Sequence, residues 1–201
     1  DIDLKWFPEA CWSHPRSKGN GFYTAKQFME GSTMPGSDVL CIRDWRANPK
    51  AKGTSPRAIA AALDAAAADA FKAIKALEGT AKDDSELQKT LHDCEALARM
   101  GRYYADKIFG ACALATFDQS NDPKDREKAL DHLTQALEHW KQYASIRDAH
   151  YLPALYNRLG RVDITALIEK VAADIEMARE WKPGTLKDDG KRAGSEKGFR
   201  K

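Results

Sequence analysis

The sequence predicts an all-α fold: an antiparallel bundle of about four long helices, preceded by an irregular segment rich in Trp, Pro and Gly. Three observations carry that prediction. The run Asp84–Ser120 has almost nothing to break it. Its small and apolar residues Leu87, Leu91, Cys94, Ala98, Gly101, Ala105, Ile108, Cys112 and Ala115 step by fours and threes, drawing one stripe along one side of a helix. Two caps followed by proline, Ser55-Pro56 and Asp122-Pro123, open further helical stretches on either side. The links between these stretches are short and polar, which makes sequence neighbours antiparallel.

Residues 1–53 differ from the rest of the chain. Pro8, Pro15, Pro35 and Pro49 punctuate them too often for a long element, and Trp6, Trp12 and Trp45 fall among several glycines. A short helix is expected at Thr24–Glu30, with Thr24 as its cap. Such a segment makes no core of its own. It is expected to lie against the helices or against a preceding domain. The bundle proper is assigned to residues 54–181. Its first helix runs from Thr54-Ser55-Pro56 to Glu78-Gly79 and buries Ile59, Leu63, Ala66, Ala70, Ile74 and Leu77.

The central helix follows the polar link Thr80–Asp83 and would span roughly 55 Å at about 1.5 Å per residue. Gly101 and Gly110 each cost about 1 kcal/mol relative to Ala inside a helix, so both are expected to serve close packing. The third helix has the stripe Leu130, Leu133, Leu137, Trp140 and Ala144, with Glu127, Lys128, Asp131 and Lys141 toward water. Its length does not fit a 34-residue helical repeat. His150–Arg161, with Pro153 and Gly160, reads as a connector. Asp163 is expected to cap a fourth helix that buries Ile164, Leu167, Ile168, Val171, Ile175 and Ala178. Residues 182–201 form a basic, glycine-rich tail, a composition that cannot bury a core.

The 201 residues suffice for one domain with a sizeable core. With 43% hydrophobic and 31% charged residues and a net charge of +2, the chain lacks the basic field of a nucleic-acid binder. No apolar run reaches the length of a membrane span. Neither nucleic acid nor membrane is therefore expected as a partner. Cys94 and Cys112 fall on the buried stripe, while the pairing of Cys11 and Cys41 in the irregular region is open. The chain begins at Asp1 without Met, and it is read as a processed protein or a piece of a longer one.

No catalytic, cofactor-binding or metal-binding residue is assigned. A di-iron bundle needs Glu-x-x-His pairs, and the residues three positions before the five histidines are Cys11, Lys89, Ala129, Ala136 and Arg147. His132 and His139 are expected as partly exposed helix-surface histidines. There is no Gly-x-Ser-x-Gly, no His-Glu-x-x-His and no phosphate-cradling glycine loop. Two clusters remain. Trp6, Glu9, Trp12, His14 and Arg16, with Phe22, Tyr23, Arg43, Asp44 and Trp45, combine aromatic planes with charges, as sugar stacking and hydroxyl recognition require. The plainer reading is that the tryptophans anchor an irregular segment to the bundle. Tyr103, Tyr104 and Lys107 with Tyr151, Tyr156, Asn157 and Arg158 read more simply still, as a packed junction between helix and connector.

The segment Trp6-Phe7-Pro8-Glu9-Ala10-Cys11-Trp12-Ser13-His14-Pro15-Arg16 resembles one found in large bacterial carbohydrate-active proteins of the α-glucuronidase-like type, or bearing carbohydrate-binding modules. So do Tyr103-Tyr104-Ala105-Asp106-Lys107-Ile108, His139-Trp140-Lys141-Gln142-Tyr143 and Tyr151-Leu152-Pro153-Ala154-Leu155-Tyr156. The resemblance covers most of residues 1–181. It implies an all-helical accessory region C-terminal to a barrel-type catalytic domain, in a secreted or periplasmic glycoside hydrolase. The catalytic carboxylates would lie upstream, and none is carried onto this chain. Trp6, Glu9, Trp12, His14, Arg16 and Trp45 are the candidate carbohydrate contacts. The catalytic domain of the same chain, carbohydrate and a second copy of the chain are the candidate partners. No cofactor is implied. The rival reading is a stand-alone helical interaction module without catalysis.

Overall fold

A computed structural model describes residues 23–31, 33, 37–151, 155–156, 160–161 and 163–186. Among the described residues the chain is mostly helical, with six α-helices of which four are long. In order they are α1 (Ala25–Glu30), α2 (Ile42–Ala47), α3 (Pro56–Leu77), α4 (Ser85–Ser120), α5 (Pro123–His150) and α6 (Ile168–Glu180). A 3-10 turn at Thr80–Asp83 joins α3 to α4. Between α5 and α6, Leu155–Tyr156 and Gly160–Arg161 form a two-residue antiparallel ladder.

The helix starts follow from their caps. The Thr24 hydroxyl accepts from the Gln27 amide while the Gln27 side chain accepts from the Thr24 amide, a reciprocal box that nucleates the six-residue α1. Ser55 Oγ accepts from the Ala58 amide at 3.1 Å, with Pro56 in the first turn of α3. Asp84 Oδ1 accepts from the amides of Glu86 and Leu87 and starts α4. Asn121 ends that helix in the left-handed conformation (φ 55°), and Asp122 with Pro123 opens α5 at once. The helix α2 starts on an unusual cap, the Cys41 sulfur, 3.4 Å from the Asp44 amide. Sequence patterning does not anticipate this helix.

The α4–α5 pair is the backbone of the core. Aromatic contacts at His92–His150 and Tyr103–Trp140, and the seat of Gly110 against Leu133, show numbers falling on α5 as they rise on α4. One buried cluster gathers Ala111, Leu114, Ala115, Phe117, Ala129 and Leu133 with Ala25, Met29 and Ile42 from the two short helices and with Ala178, Trp181 and Leu186. The other joins Ala96, Tyr103, Trp140, Tyr143 and Ala144 to Ile164, Leu167 and Val171. Trp140 is fully buried, and its indole N–H donates to the Ile164 carbonyl at 3.1 Å.

Several expectations are corrected. The stripe of α4 holds through Leu91, Ala98, Ala105, Cys112 and Ala115, but Cys94 is exposed. From Tyr103 onward α4 is buried on more than one side, because α1, α2, α5 and the chain after α6 all reach it. On α3, Ala66 and Leu77 are exposed, Ile59, Leu63, Ala70 and Ile74 are half-buried, and Ala60 and Ala67 are the buried contacts. This helix packs chiefly on α4, so only a narrow strip of it leaves water. Gly101 has ordinary space, since a Cβ there would sit 3.7 Å from the Leu63 carbonyl oxygen and 3.8 Å from Ala67 Cβ. Finally, Asp163 caps a turn through the Ala166 amide at 2.9 Å, and α6 begins only at Ile168.

Candidate functional site

The C-terminal half of α4 carries two charged side chains into the core, and each meets partners from both ends of the described chain. Lys107 is 1% exposed. Its Nζ donates to the Tyr23 carbonyl and, at 2.8 Å, to the Tyr103 hydroxyl, and lies 3.4 Å from Asp174 Oδ2 on α6. The Phe28 and Tyr103 rings stand 5.1 and 5.2 Å from the same nitrogen, adding cation–π attraction. Asp174 Oδ1 in turn accepts the Ala25 amide at 2.9 Å, the first N–H of α1. A carboxylate at a helix N-terminus is favoured by the helix dipole, and here it also neutralises the lysine.

Three turns further on, Asp118 is the second junction. Arg46 Nη1 from α2 donates to its Oδ2 at 2.8 Å. Its Oδ1 accepts from the Trp181 indole at 2.9 Å and from the amides of Thr185 and Leu186 at 2.9 and 3.1 Å. The Gly184 amide donates to the Asp118 carbonyl at 2.9 Å, and Gly184 takes a positive φ of 77° to do so. The turn after α6 thus folds around one carboxylate.

A third arrangement lies nearer the surface. Asp106 accepts from His132 Nδ1 at 2.9 Å and faces His139 Nε2 at 3.5 Å. His132 stacks on Phe109 at 5.1 Å between ring centroids. The His139 side chain is 14% exposed, and burial lowers its pKa below the usual histidine value, with Arg102 and Arg99 pushing the same way and Asp106 opposing. The two histidines were expected as partly exposed surface residues. Both are partly exposed, and beyond that expectation they share the Asp106 carboxylate across the α4–α5 seam.

These arrangements hold elements together; they do not expose a nucleophile. The Lys107 amine is spent on three oxygens, and Asp118 on four donors. Among the described residues no group of three or more His, Cys, Asp or Glu is placed to hold a metal ion, and no helix there is long and apolar enough to cross a membrane.

Of the candidate carbohydrate contacts, Trp6, Glu9, Trp12, His14 and Arg16 lie outside the described residues, as do Cys11 and Phe22. Trp45 is half-buried and packs against the cluster that surrounds the second junction. Tyr23 meets Phe28 edge-on, and the Arg43 guanidinium donates to the Glu30 carbonyl, tying α2 to α1. In the second cluster, Tyr103 and Lys107 belong to the core, whereas Tyr151 is exposed and donates its hydroxyl to Asp93. Asn157 and Arg158 lie outside the described residues.

Sequence reasoning missed Arg46, Asp118 and Asp174. A usable signal existed for one of them: Asp118 is the first charge after the uncharged run Ile108–Phe117, where a solvated face would have shown charges every third or fourth residue. Comparisons with protein-family models, with curated proteins and with solved structures return no match.

Proposed function

We propose that this chain is the accessory C-terminal helical domain of a bacterial carbohydrate-active enzyme of the α-glucuronidase-like type. Its four long helices would make an antiparallel bundle built out from α4, and its role would be mechanical support of a preceding catalytic domain. One observation carries the mechanical part: the buried charges at Lys107–Asp174 and Arg46–Asp118 join one chain segment to another. Burying ions is costly unless they are paired, and in some proteins a buried pair fixes one arrangement rather than adding stability. The enzyme type is supported by the sequence resemblance at Trp6–Arg16, Tyr103–Ile108 and His139–Tyr143.

In this reading Trp6, Glu9, Trp12, His14, Arg16 and Trp45 line one wall of the sugar site. A secreted or periplasmic setting goes with it. The deciding measurement is the intact mass of the polypeptide as its source makes it. A mass several times 22.4 kDa is expected, and a mass near that value would defeat the reading. For the wall itself, Trp12→Ala and Arg16→Ala in the parent enzyme are expected to lower kcat/KM for a polymeric substrate. Unchanged values would leave only the supporting role.

A second reading, a stand-alone helical interaction module, is favoured by α3. Its Ala61, Ala62, Ala65 and Ala68 are exposed, and Leu77 and Leu97 on α3 and α4 are 41% and 47% exposed. Ala61, Ala65 and Ala68 fall on one face of the helix by their four- and three-residue spacing, and a contiguous apolar face is where another protein surface would dock. A native mass near 22.4 kDa, with loss of a co-purifying partner on Ala65→Glu, would establish that reading in place of the first.

A further inference from the structure

The two buried junctions share a pattern that neither shows alone. At the first, α4 supplies Lys107, the N-terminal arm supplies the Tyr23 carbonyl and the Ala25 amide, and the C-terminal arm supplies Asp174. At the second, α4 supplies Asp118, the N-terminal arm supplies Arg46, and the C-terminal arm supplies Trp181, Thr185 and Leu186. The partners from the two arms are 149 positions apart at Asp174 and Ala25. The junctions stand eleven residues apart on α4, roughly 16 Å at the helical rise.

We propose that the N-terminal arm (α1 and α2) and the C-terminal arm (α6, which packs on α5, and the turn Trp181–Leu186) form a single clasp on the α4–α5 pair, closing and opening together while that pair stays folded. The reason is electrostatic. When the N-terminal arm departs, Lys107 loses the Tyr23 carbonyl and the Phe28 ring, and Asp174 loses the Ala25 amide, so the ion pair gives up contacts that hold α6 in its place. With α2 gone, the Asp118 carboxylate, 2% exposed, keeps only neutral donors. A buried ion stripped of a partner destabilises whatever keeps it buried, so departure of one arm loosens the other. Linkage makes the effect reciprocal: each arm raises the affinity of the other for the α4–α5 pair by the same factor.

One apolar cluster joins the two arms directly. Ala25, Met29 and Ile42 from one arm share one cluster with Ala178, Trp181 and Leu186 from the other, over the end of α4. The tilted and edge-on ring contacts Tyr103–Trp140–Tyr143 bind α4 to α5, and Val171 of α6 packs into the same cluster. A unit of this kind opens as one in native-state hydrogen exchange, at a lower free energy than global unfolding. The clasp stands on this chain alone and does not depend on the accessory-domain reading.

The test is amide hydrogen exchange, read by mass spectrometry, on the full 201-residue chain and two variants. Asp174→Asn strikes the first junction and Trp181→Phe the second, the latter removing one N–H while keeping an aromatic ring. Each variant is expected to speed exchange at least tenfold in α1 and α2 as well as in α6, with the centres of α4 and α5 unchanged. Acceleration confined to α6 and residues 181–186, with α1 and α2 unmoved, would overturn the proposal. Equal acceleration through α4 and α5 would overturn it as well, because the arms would then open only with the whole molecule. Should Asp174→Asn fail to fold, Trp181→Phe alone decides.

Discussion

Arg46 Nη1 lies 2.8 Å from Asp118 Oδ2, with the two side chains 5% and 2% exposed. The pair is therefore held in a low-dielectric setting, where removing one partner costs far more than removing both. Arg46→Met leaves a buried carboxylate with neutral donors only, and a loss of about 3–5 kcal/mol is expected in urea unfolding. The double variant Arg46→Met/Asp118→Asn removes the charge, keeps a carboxamide oxygen to accept from Trp181, Thr185 and Leu186, and is expected to be more stable than Arg46→Met alone. If the double variant proves worse by the sum of the two single losses, the pair does not act as a unit.

The two glycines of α4 are expected to respond in opposite directions to alanine. At Gly101 a Cβ meets nothing closer than 3.7 Å, so Gly101→Ala gains helix propensity and stabilises by about 0.5–1 kcal/mol. At Gly110 the Cβ would stand 2.9 Å from Leu133 Cγ, 3.0 Å from its Cδ2 and 3.4 Å from the Ala129 carbonyl oxygen. Leu133 is only 2% exposed and has little room to yield, so overpacking outweighs propensity and a net loss of about 1 kcal/mol is expected. Urea midpoints of the two variants check both signs. A stabilised Gly110→Ala would mean that α5 shifts freely on α4.

How much of this was legible in the sequence depends on the range of the interaction that fixed each feature. The starts of α3, α4 and α5 are set by Ser55, Asp84 and Asp122, which act on amides two or three residues away, and local reading found them. The short α2 rests on a thiol cap and on its contacts to α4, neither of which leaves a local pattern. Asp163 looked like a helix cap because its chemistry is the same in a turn. The charged junctions were invisible for a different reason. Lys107 and Asp174 are each ordinary charges on an amphipathic helix until the fold brings them within 3.4 Å. Cys94 is exposed although Leu91 and Ala98 are buried, so the strip that leaves water in this part of α4 is narrower than the sequence stripe.

The cysteines give a chemical ranking that tracks burial. Cys112 is 2% exposed and burial pushes its thiol up to about 12, and Cys41 is raised as well, chiefly by burial. Cys94 is exposed. Among these three, native-state alkylation under mildly alkaline conditions is expected to modify Cys94 first, Cys41 more slowly and Cys112 only at the rate of unfolding. Peptide mass mapping over a time course reads the order. Modification of Cys112 ahead of Cys41 would contradict the packing described for α4.

His139 links this packing to pH. Its folded pKa is lowered, first by burial and then by Arg102 and Arg99, while the unfolded chain keeps a value near the ordinary 6.5. Between the two values the unfolded state binds more protons than the folded one, so stability rises with pH through that window. The contribution is fully present above the unfolded value and is lost as pH falls through the lowered folded value. His139→Gln removes the titration and keeps a polar side chain opposite Asp106. The difference in melting temperature between wild type and His139→Gln is therefore expected to shift in favour of the variant as pH drops from about 8 to about 5, across the ordinary histidine range. The opposite drift would mean that Asp106, the charged neighbour that raises the histidine, dominates the site.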